Sequence, residues 1–109
     1  MSPLQRSMKQ LRAEGWHVEK VEWWNSWGKV RQDLFGILDL LCIHKQDGHT
    51  LGVQVTTMGQ KQPHIRKIRK SKNYPLLKKA GWMIQLHSWR KLKKQGWQLN
   101  VEHFNDTDV

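Results

Sequence analysis

The sequence predicts an α/β (α+β) domain, a central mixed sheet flanked by helices, and three stretches carry that expectation. Leu4, Met8 and Leu11 recur at helical spacing near the start of the chain. Leu34 to Ile43 is almost continuously apolar and is followed, after a Gln46-Asp47-Gly48 turn, by the alternating segment Thr50 to Thr57. Basic, helix-like sequence then separates this pair from a further apolar stretch at Trp82 to Ser88. At 109 residues, with no internal repeat or low-complexity linker, the chain is expected to be one domain around a modest core.

Taken in order, Pro3 to Glu14 reads as the first helix, with Gly15 as its C-terminal cap. Trp16 to Trp24 alternates and is β-rich, so a first strand is expected there, with Asn25 to Gln32 as a loop. Leu34 to Ile43 reads as a strand buried on both faces. In the third strand, Thr50 to Thr57, Val53 and Val55 take one face while Gln54 and Thr56 take the other. Met58 to Pro63 is expected as a loop, His64 to Lys72 as a basic helix, and Leu76 to Ala80 as a short helix started by Pro75. Trp82 to Ser88 and Gln98 to Phe104 follow as strands, the second at an edge. The block 105–109 reads as a disordered tail. The core order is thus α-β-β-β-α-β, with one edge strand added.

Charge narrows the partners. The formal net charge is +10, and no Asp or Glu occurs between Gly48 and Val101. Self-repulsion on such a surface is relieved by a polyanion, and release of counterions from a phosphate backbone drives the binding. Arg31, Lys61, Arg66, Lys67, Arg69, Lys70, Arg90 and Lys91 are the cations expected to meet phosphates. No apolar run approaches a membrane span, and the first residues lack the basic-then-apolar pattern of a secretory signal. Cys42 is the single cysteine, so disulfide frameworks and thiolate zinc sites are excluded and a reducing compartment is expected. The six histidines show no zinc spacing, and His87 reads as a packed, hydrogen-bonded residue. Phosphate-cradling glycine loops and nucleophilic serine motifs are absent.

Seven tryptophans are many for this length. Trp16, Trp82 and Trp97 each follow a glycine at the expected start of a strand and read as packing residues. Trp23, Trp24 and Trp27 flank Asn25 and Ser26, where two readings stand: stacking on exposed bases, or folding over the sheet edge.

Asp39 carries the chemistry. A carboxylate between Leu38 and Leu40 in mid-strand needs compensation by a metal ion, a basic partner or several donors. Across the tight turn, Gln54 falls beside it and Thr56 lies further along the same face. The Asp39 carboxylate, the Gln54 carbonyl and the Thr56 hydroxyl would then converge as oxygen ligands suited to a hard cation such as magnesium. Asp33, on the approach to the same strand, offers a second carboxylate.

The run Leu11-Arg12-x-x-Gly15-Trp16, then Arg31-x-Asp33-Leu34-Phe35-Gly36-x-x-Asp39-Leu40-Leu41, then Gly52-x-Gln54-Val55-Thr56, resembles the PD-(D/E)XK nuclease superfamily. Within it, the pattern is similar to the small phage-type and archaeal-type Holliday junction resolvases. Ala80-Gly81-Trp82 and Ser88-Trp89-Arg90 extend the resemblance, which covers Leu4 to Lys91. It implies a single restriction-endonuclease-like domain over 1–109 and a homodimer acting on branched DNA. It also implies Mg2+ or Mn2+ held by Asp39, Gln54 and Asp33, with Thr56 in the catalytic set. The setting it implies is the cytoplasm of a bacterial or archaeal host, phage-encoded proteins included. Gln54 stands where the family has an acid and Thr56 where it has a lysine. The acid that many resolvases carry on the first helix is replaced near Leu4 or Gln5. Lys61, His64 or Lys67 is expected to supply the lysine's role. The alternative is a nuclease-fold module that binds DNA or RNA without cutting it.

Overall fold

The computed structural model describes Met1–Phe104; the expected tail, 105–109, lies outside the described residues. Helix α1 (Pro3–Ala13) begins at a capping box. Ser2 Oγ accepts from Gln5 N at 3.2 Å, and Gln5 Oε1 accepts from Ser2 N at 2.9 Å, so two otherwise orphaned donors are satisfied. The strands are β1 (Trp16–Lys20), β2 (Glu22–Asn25), β3 (Val30–Asp33), β4 (Leu40–His44), β5 (Thr50–Thr57), β6 (Met83–Leu92) and β7 (Gly96–Phe104). A 3-10 turn (Met58–Gln60), α2 (Lys61–Lys70) and α3 (Asn73–Lys79) lie between β5 and β6.

Five strands form a mixed sheet in the order β1-β4-β5-β6-β7. Only β5 and β6 are parallel, and the two helices between them provide the crossover that a parallel pair requires. Apolar clusters cover both faces. Leu4, Met8 and Leu11 of α1 pack on Trp16, Val18, Leu40, Cys42, Leu51 and Val53. On the opposite face Ile65 and Ile68 of α2, with Tyr74 and Leu77 of α3, pack on Ile84, Leu86 and Phe104. The result, among the described residues, is a mixed α+β domain with three helices. No helix among the described residues is long and apolar enough to cross a membrane. Cys42 is fully buried, and burial pushes its thiol up to about 12, so it acts as a small hydrophobe.

Several boundaries differ from the sequence reading. The first strand ends at Lys20 instead of Trp24, and Val21 N donates to Asp39 O across the break. The expected Asn25–Gln32 loop is instead the turn and second strand of a hairpin, β2–β3, bonded as its own two-stranded sheet. The apolar run Leu34–Ile43 is not one strand. Phe35 and Gly36 take left-handed backbone (φ 55 and 75), Leu34 pairs back on Leu38, and only from Leu40 does the chain run as β4. Helix α2 starts at Lys61, because Pro63 sits in the first turn where its missing N–H costs no hydrogen bond. Trp97 is partly exposed, with the Arg6 guanidinium 4.6 Å over its ring. Trp16 and Trp82 do pack on the two cores.

Candidate functional site

Asp39 immediately precedes β4, where Leu40 pairs with Val53. Its own N–H donates to Val53 O at 2.8 Å, and this register sets Gln54 beside it, as the turn between the strands requires. Asp39 is 4% exposed and Gln54 3%. Asp39 Oδ2 accepts from Val55 N at 2.8 Å and from Gln54 Nε2 at 2.6 Å.

The Gln54 amide therefore faces Asp39 with the opposite end from the one expected. Its N–H, and not its carbonyl, meets the carboxylate, because two acceptor oxygens repel unless a proton or cation lies between them. Gln54 Oε1 is left buried with no hydrogen-bond partner among the described residues. Turning the amide over would place that carbonyl against Asp39, which a bound cation would favour.

Two further acids close on Asp39. Carboxylate oxygens of Glu22, Asp33 and Asp39 lie within 4.8 Å of one another. The hairpin explains the convergence: Glu22 and Asp33 are cross-strand partners at its base. Asp33 was expected at the site; Glu22 was not, because its place depends on a hairpin whose first arm reads as the end of the first strand and whose second arm reads as a loop. Arg31 Nη1 donates to Glu22 Oε1 at 2.8 Å, and Lys67 Nζ reaches Asp33 Oδ2 at 3.4 Å. Burial is the largest influence on Asp39 and pushes its carboxyl up to about 8 against the lowering effect of the Val55 N–H. The Asp33 charge, and hydrogen bonding with Glu22 and Asp33, push the same way.

A cavity of about 530 Å³ opens onto this cluster. Leu4, Gln5 and Met8 of α1 line one side, and Lys20, Glu22, Arg31, Asp39 and Thr56 are among the residues that line the others. Thr56 thus borders the same space as Asp39. Of the three residues expected to stand in for a lysine, Lys67 touches the cluster. Lys61 instead reaches Glu102 at 3.9 Å, and His64 bonds to Gln60 O at 2.8 Å. Arg66, Arg69 and Lys70 lie on α2, with Arg69 over the Phe104 ring. Arg90, bonded to Gln98, and Lys91 lie on β6.

The donor set suits a divalent cation. Oxygens bound to one magnesium ion at about 2.1 Å sit roughly 3–4 Å apart, and those around calcium up to roughly 5 Å apart. Three carboxylates at this spacing, one deeply buried, with an orphaned amide carbonyl next to them, are the chemistry such an ion relieves. His87 does not join the site. It is 1% exposed and bonds Ser7 Oγ at 2.8 Å on the α1 side of the sheet. No protein-family model matches the sequence, and no curated protein is significantly similar to it.

Proposed function

We propose that the protein is a metal-dependent endonuclease of the PD-(D/E)XK type that acts on DNA, with preference for branched structures. The observation that carries this reading is the carboxylate triad Glu22, Asp33 and Asp39, of which Glu22 and Asp39 line a cavity, in a chain of net charge +10. Acids are scarce in this sequence, nine against nineteen Lys and Arg, yet three converge at one place. A bound Mg2+ or Mn2+ would polarise a phosphodiester and lower the pKa of bound water. Asp39 and Asp33 would hold it, Glu22 would supply the acid that position 54 lacks, and Gln54 would turn its carbonyl inward. Lys67 and Arg31 flank the acids and would stabilise charge developing on the phosphate. The basic residues of α2 and of β6 would contact backbone phosphates, which favours shape over sequence. Homodimerisation follows from the resemblance to resolvases.

A second reading has its own support. Arg31 and Lys67 already neutralise two of the three acids, which weakens metal affinity, and Thr56 leaves the lysine position empty. On that reading the protein binds nucleic acid without cutting it. Cleavage of a labelled four-way junction and its matched linear duplex, with magnesium, manganese or chelator, separates the two. Metal-dependent cutting by the wild type that Asp39→Asn abolishes while retaining affinity is expected. Tight binding with no cutting under any condition would refute the nuclease and leave the binding module.

A further inference from the structure

The hairpin that brings Glu22 and Asp33 together also carries three exposed indoles. Trp23 is 51% exposed, Trp24 60% and Trp27 96%. Successive residues of a strand point to opposite faces, so Trp23 and Trp24 present a ring on each side of the ribbon, and Trp27 sits at its tip. Their exposure shows that they do not fold over the main sheet, and β2–β3 pairs as a separate two-stranded sheet. The tip is held in one shape. Asn25 Oδ1 accepts from Trp27 N at 3.0 Å and Gly28 N at 3.1 Å, and Asn25 Nδ2 donates to Gln32 Oε1 at 3.0 Å. Leaving three large apolar side chains in water on a rigid projection is costly unless a partner covers them.

Charge selects the partner. Both acids of the ribbon, Glu22 and Asp33, sit at its base, with Arg31 paired to Glu22; beyond them the ribbon bears only the cations Lys29 and Arg31, and Lys20 precedes its base. A second copy of the chain would bring the same cations to the contact. A nucleic acid brings phosphates to the cations and a π-face to every indole, and stacking on aromatic side chains requires bases that are unpaired or unstacked. We propose that the hairpin is a base-stacking finger, which holds unpaired nucleotides of a single strand or splayed branch beside the acid cluster. The proposal rests on the nucleic-acid reading of the chain and is independent of cleavage.

The test is binding by the full chain in EDTA, which keeps metal-dependent cutting out of the measurement. Fluorescence anisotropy would compare a 20-nucleotide single strand, a four-way junction and a blunt linear duplex for wild type, Trp27→Ala and Trp23→Ala/Trp24→Ala. Each lost stack is expected to weaken single-strand and junction binding about 5- to 100-fold, with the duplex changed less than about twofold. Trp27→Phe should keep most of the affinity that Trp27→Ala loses. In wild type, 2-aminopurine at the branch should change its emission on binding, and in the alanine variants it should not. Unchanged affinity for all three ligands, or an equal loss on all three, overturns the finger. So does sedimentation showing a wild-type dimer that the alanine variants convert to monomer with single-strand affinity intact, which makes the ribbon a protein contact. A wild type that binds no nucleic acid even at low salt removes the proposed function as well. A wild type that cuts DNA while the variants bind normally removes the finger alone.

Discussion

Replacing Asp39 by Asn should stabilise the metal-free protein. With its pKa near 8, Asp39 is protonated in the folded chain at pH 7, whereas the same group in the unfolded chain, with the ordinary value of 3.8, is ionised. The folded state thus binds a proton that the unfolded state does not, and stability from this group is lost as pH rises from about 4 to about 8. The full linkage corresponds to roughly 4 kcal/mol at pH 7. Asp39 lies in one cluster with Glu22 and Asp33, so about half of that, ~2 kcal/mol, is the lower expectation. Asn reproduces the protonated form. Its carbonyl can accept from Gln54 Nε2 and Val55 N as Asp39 Oδ2 does, and its amide can donate toward Glu22 and Asp33.

The assay is thermal or urea unfolding of both proteins in chelator between pH 4.5 and 8.5. Asp39→Asn should have the higher Tm, by roughly 10–20 °C near pH 8, with the gap closing toward pH 4.5. Magnesium or calcium should then raise the wild-type Tm and leave the variant's almost unchanged, since the ion stabilises only the state that binds it. An Asn variant no more stable than wild type at pH 8 in chelator would refute the reasoning. It would mean that the carboxylate is satisfied by its two N–H donors and carries no stored cost.

Gly52→Ala should cost about 1–3 kcal/mol by overpacking. A Cβ there would lie 2.6 Å from Leu38 Cδ1 and 3.2 Å from Leu38 Cγ, and Leu38 is fully buried. The double variant with Leu38→Ala should lose less than the sum of the two single losses, and additive losses in urea unfolding would show that Leu38 is not the obstacle. His87, pulled from 6.5 to about 4 by burial and then by His103, is neutral in the fold and charges on unfolding below pH 6.5. Stability from it is present above that pH and falls toward pH 4, by roughly 2 kcal/mol at pH 5. Asp39 acts with the opposite sign over this range. The His87 slope should therefore appear cleanly in the Asp39→Asn background, and a flat profile there between pH 6.5 and 5 would contradict it.

The central hairpin was legible because two local signals agree. Asp47-Gly48 marks the turn, where Gly48 adopts φ 73, and the alternation of Val53 and Val55 marks the faces. Together they determine that Asp39 and Gln54 meet. Which end of the amide meets the carboxylate is a matter of charge and proton, and no spacing encodes it. The ribbon β2–β3 was not legible for a different reason. Its turn depends on Lys29 at φ 53, a position usually given to Gly or Asn, and its exposed tryptophans break the apolar-polar alternation that identifies a strand. Glu22 was missed with it, since only the pairing of Glu22 with Asp33 brings that acid to the site. The break before β4 was hidden by a run of apolar residues in which Phe35-Gly36 turns the chain back on itself.

The charges around the cavity set the order in which partners can be accommodated. A phosphate entering the metal-free site meets up to three acids, and two of the neighbouring cations, Arg31 and Lys67, are paired with Glu22 and Asp33. Arg31 is largely exposed and Lys67 half-exposed, whereas Glu22 and Asp33 are largely buried, so each cation can leave only when its acid is neutralised in another way. A divalent ion on the carboxylates removes the reason for both pairs at once. It would reverse the local sign, displace the Asp39 proton and free Arg31 and Lys67 for a phosphate. On this account the basic surface captures the nucleic acid, while the acid cluster admits its backbone only once the acids are neutralised. The mixture of charges at the site would then couple a bound ion to the phosphate that enters beside it.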